Sequence, residues 1–147
     1  MEHLAKRSPE CERGTLESVL HKTMTGYVVF AHGSSVEPAN QAVRNAAAEM
    51  SRRGGYKTVE AAFLGGGRPD LKEAVQALAA GGIARIVVIP YFLTLGLHLE
   101  RDLPVLIEEL RLTHPLLEIT VTPPLDAHPA LIDVLLDRAR DSVCGHG

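Results

Sequence analysis

GYVVFAHGSSVEPANQAVRNAAAEMSRRGGYKTVEAAFL, residues 26–64, is the stretch that decides the fold. Tyr27–Ala31 is a short apolar run rich in β-formers, which reads as a buried strand. Pro38–Arg53 then carries Ala39, Val43, Ala46, Ala47 and Met50 at helical spacing, and Gly54-Gly55 ends that helix. Thr58–Leu64 is a second strand. A strand, a helix and a strand in so short a span form a βαβ unit, with parallel strands and a right-handed crossover.

The same alternation continues downstream. Gly65–Gly67 makes a turn, and Pro69 opens a helix with Leu71, Ala74, Val75 and Leu78 on one face before Gly81-Gly82 stops it. Arg85–Pro90 (RIVVIP) is the third strand, and Pro104–Thr113 the next helix, with Leu103, Leu106, Ile107 and Leu110 inward. Leu117–Val121 is the fourth strand, and Pro129–Arg140 the last helix, with Leu131, Val134 and Leu135 inward. Strict alternation with continuous apolar strands predicts an α/β domain of three layers, a four-stranded parallel sheet covered by helices on both faces. A (β/α)₈ barrel needs twice as many units.

The domain is expected over residues 25–143, after a polar, non-periodic and flexible tail at 1–24, which holds at most a helical turn around Thr15–Leu20, and before a short tail at 144–147. Hydrophobic residues make up 46% and aromatics only 4%, so the core must be aliphatic. A net charge of −3 argues against a nucleic-acid partner, which favours a basic surface. No apolar run approaches the ~20 residues of a membrane span, and the first residues lack the apolar stretch of a secretory signal. The expected location is the cytoplasm. Cys11 and Cys144 stand alone in the two terminal segments and read as reduced, unpaired thiols.

Open parallel sheets bind ligands beyond the carboxyl ends of their strands. Four loops lie there: Ala31–Glu37, Gly65–Pro69, Tyr91–Leu103 and Thr122–Pro129. His32, His98 and His128 fall on three of them, whereas His3, His21, His114 and His146 lie in tails or at a helix end. Gly33 lets the chain turn after His32, and Ser34 or Ser35 is placed to cap the next helix. His98 follows an apolar loop with Phe92, Leu93, Leu95 and Leu97, where Gly96 allows a bend; such a loop reads as a cavity wall or an interface between chains. Glu100 and Asp102 are placed to orient an imidazole or to serve as helix-start charges. Gly65, Gly66 and Arg68 precede a helix start and read either as a carboxylate-binding turn or as a plain one. His128 reads as a helix-start residue. No P-loop, dinucleotide fingerprint or nucleophile elbow is present.

AHGSS with Asn40 downstream, FLGGGRPDL, IVVIPYFLTLGLHLERDLP and PPLDAHPAL occur in one order over roughly residues 26–140. In this the chain resembles the small CbiX-type sirohydrochlorin chelatases of the class II chelatase family, relatives of the siroheme ferrochelatases. The resemblance implies a flavodoxin-like chelatase fold. It implies an ATP-independent lyase that inserts Co²⁺, Fe²⁺ or Ni²⁺ into a sirohydrochlorin-type tetrapyrrole for cobalamin or siroheme biosynthesis. It further implies no organic cofactor, the metal being substrate, and a homodimer. The metal-handling and catalytic histidines of the family match His32 and His98. Imidazole suits the task, since it binds borderline divalent metals and accepts protons near neutral pH.

The macrocycle needs an apolar slot, expected from Phe92, Leu93, Leu95, Gly96 and Leu97. Its acid arms need partners, expected from Ser34, Ser35, Gly65, Gly66 and Arg68. The sequence departs from the family pattern at two places. Gly65 stands where an acidic residue is usual, and Ser35 where an Arg often follows HGS. The first departure keeps open a non-catalytic homologue that binds tetrapyrrole or metal. A flavodoxin-like or phosphate-binding module is disfavoured by the missing phosphate motif.

Overall fold

The computed structural model describes residues 24–143, so the expectations for the tails, including the turn at Thr15–Leu20 and both cysteines, lie outside the described residues. Four strand–helix pairs follow one another: β1 (Thr25–Ala31), α1 (Glu37–Gly54), β2 (Val59–Phe63), α2 (Leu71–Ala80), β3 (Arg85–Pro90), α3 (Leu97–Thr113), β4 (Glu118–Val121) and α4 (Ala130–Val143). The strands form one parallel sheet in the order β2-β1-β3-β4. Strand boundaries match the sequence reading to within two residues, the largest difference being β1, which starts at Thr25 rather than Tyr27.

Side chains alternate across the sheet and build two unequal cores. On one face Val28, Phe30, Ala62, Ile86, Val88 and Ile119 pack under α2 and α3, which contribute Leu71, Val75, Leu78, Leu99, Leu103, Ile107 and Leu110. On the other face a smaller cluster joins Val29, Ala31, Ala61 and Phe63 to Val43 and Ala47 of α1. Asp70 starts α2 with a capping box, its carboxylate accepting the Glu73 N–H at 2.8 Å while Glu73 accepts the Asp70 N–H at 2.9 Å. At the free edge of the sheet Arg111 donates to the Ile119 carbonyl at 2.7 Å. No helix among the described residues is long and apolar enough to cross a membrane.

Two helices differ from the sequence reading. α3 begins at Leu97, not Pro104, with Gly96 before it and the Glu100 N–H bonded to the Gly96 carbonyl at 2.9 Å. Pro104 lies inside the helix and removes one backbone bond, a cost of about 3 kcal/mol. The earlier start buries both Leu99 and Leu103, at about 1.5–3 kcal/mol each, which offsets it. The second correction concerns α4. Leu131, Val134 and Leu135 have the spacing of an inward face, yet α4 holds no buried residue, and Leu135 is 64% exposed. Helical periodicity reports that a face is apolar, not which surface covers it.

Candidate active site

The strand order places the topological switch point between β1 and β3: β1 leads out to β2 on one side, and β3 to β4 on the other. In open parallel sheets the loops after two such strands part at the switch point, which is where ligands bind. The first loop begins with His32, and the second leads to His98.

The His32 turn is braced from below. Gly33 has φ +83°, and a Cβ there would stand 1.7 Å from the Gly65 carbonyl oxygen, so only glycine fits. The Gly65 N–H donates to the His32 carbonyl at 3.0 Å, and the Leu64 N–H to that of Ala31 at 2.8 Å. Asn40, on α1 and 1% exposed, completes the brace. Its Oδ1 accepts the Ser34 N–H at 2.9 Å, and its Nδ2 donates to the carbonyls of Ser34 at 2.8 Å and Gly66 at 3.0 Å. One buried amide thus ties the first loop to the Gly65–Gly67 turn. The His32 ring meets Phe92 edge-on, with centroids 4.8 Å apart, and Phe92 in turn meets Phe30 at 5.9 Å. The ring is therefore placed by the core, although the residue itself is exposed.

The expected serine cap is not formed. Val36 occupies the cap position of α1 with no side-chain bond, and Ser34 Oγ instead accepts the Val36 N–H at 3.0 Å. Pro38 at the helix start has already removed one N–H that a cap would satisfy. Glu37 beside it bonds Arg44 and Asn40, and the Arg44 guanidinium first, then the Asn40 amide, holds its carboxyl below the usual value.

The second loop is open. Phe92 is buried and Leu95 partly buried against the main core, which leaves Leu93 and Leu97, 65% and 82% exposed, as its apolar surface. Gly96 is exposed, and His98 is the exposed second residue of α3, in a helical turn where a loop was expected. Among the described residues its Nδ1 is met by Arg101, at 3.4 Å, and not by Glu100 or Asp102. A guanidinium only donates, so Nδ1 turns its lone pair toward Arg101. Sequence reasoning missed Arg101, because the contact needs the i, i+3 geometry of a helix that Pro104 disguised.

The turn expected to hold carboxylates is partly committed. The Ser34 and Gly65 N–H groups are used within the protein, and Arg68 pairs with Glu73. Ser35, Gly66, Arg68 and Arg101 remain exposed. His128 starts α4, its Nδ1 accepting the Ala130 N–H at 3.1 Å, as expected of a helix-start residue. Among the described residues no group of three or more His, Cys, Asp or Glu side chains gathers into a metal cage.

A family model described as CbiX matches residues 26–142. The sirohydrochlorin cobaltochelatase of Methanopyrus kandleri is 29% identical over 140 residues, covering 82% of this chain and 98% of the relative. That of Saccharolobus solfataricus is 30% identical over 125 residues, covering 81% and 96%. The chloroplastic sirohydrochlorin ferrochelatase of Arabidopsis thaliana is 30% identical over 113 residues, covering 77% of this chain and 50% of the relative. Among solved structures, a cobalamin biosynthesis CbiX protein from Marinobacter aquaeolei superposes with TM-score 0.72 at 24% identity, over 81% of this chain and 97% of that one. The sirohydrochlorin chelatase SirB from Bacillus subtilis in complex with cobalt gives TM-score 0.73 at 21% identity, over 80% of this chain and 50% of that one.

Proposed function

The chain belongs to the CbiX family, and from that premise we propose that it inserts a divalent metal ion, Co²⁺, Fe²⁺ or Ni²⁺, into sirohydrochlorin in the cytoplasm, without ATP. What supports this reading is that His32 opens the loop after β1 and His98 starts the helix that follows the loop after β3, on either side of the switch point, with the His32 ring meeting Phe92 of the second loop. Insertion replaces two pyrrolic N–H protons by one M²⁺, so the site must present a metal and take up protons. His98 serves as the principal ligand or base: it is exposed, and the one hydrogen-bond partner its ring meets among the described residues is Arg101, at 3.4 Å. His32 assists from a fixed position. Two imidazoles without a third strong ligand hold the ion weakly enough for the ring to take it, unlike a closed structural site.

The apolar slot falls to Leu93 and Leu97, while Phe92 holds the His32 ring and Leu95 anchors the loop. Ser35, Arg68 and Arg101 are the exposed polar groups available to the acid arms. Gly65 offers no carboxylate, so proton uptake rests on the imidazoles. The reading includes a homodimer, supported by a chain that spans the short relatives almost whole and the long ones by half.

The test mixes protein and sirohydrochlorin with each metal in turn and follows the visible spectrum. Acceleration over the protein-free rate with at least one metal is expected, and none with any metal rejects the proposal. Gly65 favours one second reading, a homologue that binds without turnover. Tight product binding with no more than one turnover would establish it instead.

A further inference from the structure

The carboxyl ends of the strands carry the histidines; the opposite end of the sheet carries an open groove of about 450 Å³. It lies where α2 and α3 end and the chain turns into β3 and β4, and Ala79, Ile83, Ala84, Pro115, Leu116 and Leu117 are among its lining residues. Ile83 and Leu117 are half-buried and pack on the larger core, so the floor of the groove is the outer side of that core. Leu116 is 97% exposed, more than any other large apolar side chain among the described residues. The groove begins where the described chain begins. The Ala84 N–H donates to the Met24 carbonyl at 3.1 Å, and the Ala84 carbonyl accepts the Glu118 N–H at 3.1 Å, so the entries to β1, β3 and β4 stand side by side.

In the sequence before Met24, Leu16, Val19 and Leu20 stand at i, i+3 and i+4, the spacing of an apolar helical face. Met24, itself helical and 50% exposed, continues that row. Three residues separate Leu20 from Met24, a span of at most about 14 Å even when fully extended. The apolar row is therefore kept beside the groove by its own chain. We propose that the segment before β1 folds back onto its own domain and seats Leu16, Val19 and Leu20 in this groove. Charge favours the same occupant. α2 and α3 both present their C-terminal ends here, the negative poles of their dipoles, and the last turn of α2 carries no basic residue. Lys22, between the apolar row and β1, supplies a cation to that end. The tether sets this segment apart from any other occupant. So short a link holds it at an effective concentration on the order of mM, which a second copy or a separate protein must exceed. The family model begins at residue 26, so the segment is an addition outside the shared domain, at the end of the sheet remote from His32 and His98. Its docking stabilises the domain and leaves the histidine edge untouched.

The experiment uses the full chain with Cys11→Ser and Cys144→Ser. Leu20→Cys is combined with Leu116→Cys in one version and with Ala79→Cys in a second. A third pairs it with Val36→Cys, which is 59% exposed and follows β1 at the opposite end of the sheet. After mild oxidation, denaturing electrophoresis without reductant is expected to show a bond within the chain for at least one of the first two versions and none for the third. Closure of the third as readily as of the first two would mean that the segment has no fixed seat, and would overturn the inference. So would closure of neither of the first two, or a bond between chains at twice the mass, which gives the groove to a second copy. In the otherwise unaltered chain, Leu116→Asp is expected to lower the urea midpoint, although so exposed a residue would be neutral if nothing covered it. Leu16→Asp with Leu20→Asp is expected to lower it as well, and the three changes together by less than the sum, because they remove one shared contact. Midpoints equal to that of the parent would overturn the inference. None of these readouts needs metal or tetrapyrrole, so the chelatase reading and this one stand or fall separately.

Discussion

The two histidine-bearing turns are built in opposite ways. The His32 turn is held by a glycine that nothing else can replace, by a buried amide with three backbone partners and by an aromatic edge. The His98 turn is an exposed helix start, where the ring touches one arginine. The contrast teaches a division of labour. In the proposed reaction the rigid imidazole of His32 would fix where the metal and ring meet, and the exposed one of His98 would follow the ion as it transfers. Catalytic geometry needs the first, and release of a tightly solvated ion needs the second.

The largest effect should come from removing the brace. Gly33→Ala forces a Cβ into the Gly65 carbonyl at a positive φ and is expected to cost about 3 kcal/mol of stability in chemical denaturation. A variant as stable as the parent would break the contrast, since the turn would then not be rigid. Next in size, His98→Ala is expected to lower kcat/KM for metal insertion about 100-fold, or about 2.7 kcal/mol. Its stability should move by no more than about 0.5 kcal/mol, because the residue is exposed. Full activity would remove His98 from the site. The smallest effect sharpens the brace further. Glu37 has its carboxyl value lowered from 4.5 by Arg44 and then Asn40, so the folded state favours the carboxylate. Its contribution is present above the unfolded value and is lost as pH falls through the folded one. The stability difference between the parent and Glu37→Gln should therefore be small near neutral pH and vanish as the solution is acidified below 4.5. A difference that grows on acidification would contradict it.

Much of this architecture was legible before any coordinates. RIVVIP reads as a buried strand from β-branched residues alone, and β3 spans those six residues. Each strand's carboxyl end follows from the alternation, so His32 and His98 could be placed on one edge of the sheet. Three things were hidden. Pro104 mimics a helix start, yet the apolar row Leu99, Leu103, Ile107, Leu110 runs through it and wins. Ser34 and Ser35 resemble caps, but Asn40, six residues beyond Ser34, reaches back and takes its backbone. The stripe of α4 is written as clearly as that of α2, yet α2 is buried and α4 is not. Amphipathic spacing is a property of one helix, whereas burial belongs to a pair of surfaces.

Arg111 adds a quieter consequence. β4 is a four-residue border strand whose Ile119 carbonyl faces outward, away from β3, and the Arg111 guanidinium occupies that acceptor. A stray extended peptide approaching this margin finds its first docking point already taken and meets a cation instead. Strand addition at this one edge is thereby disfavoured.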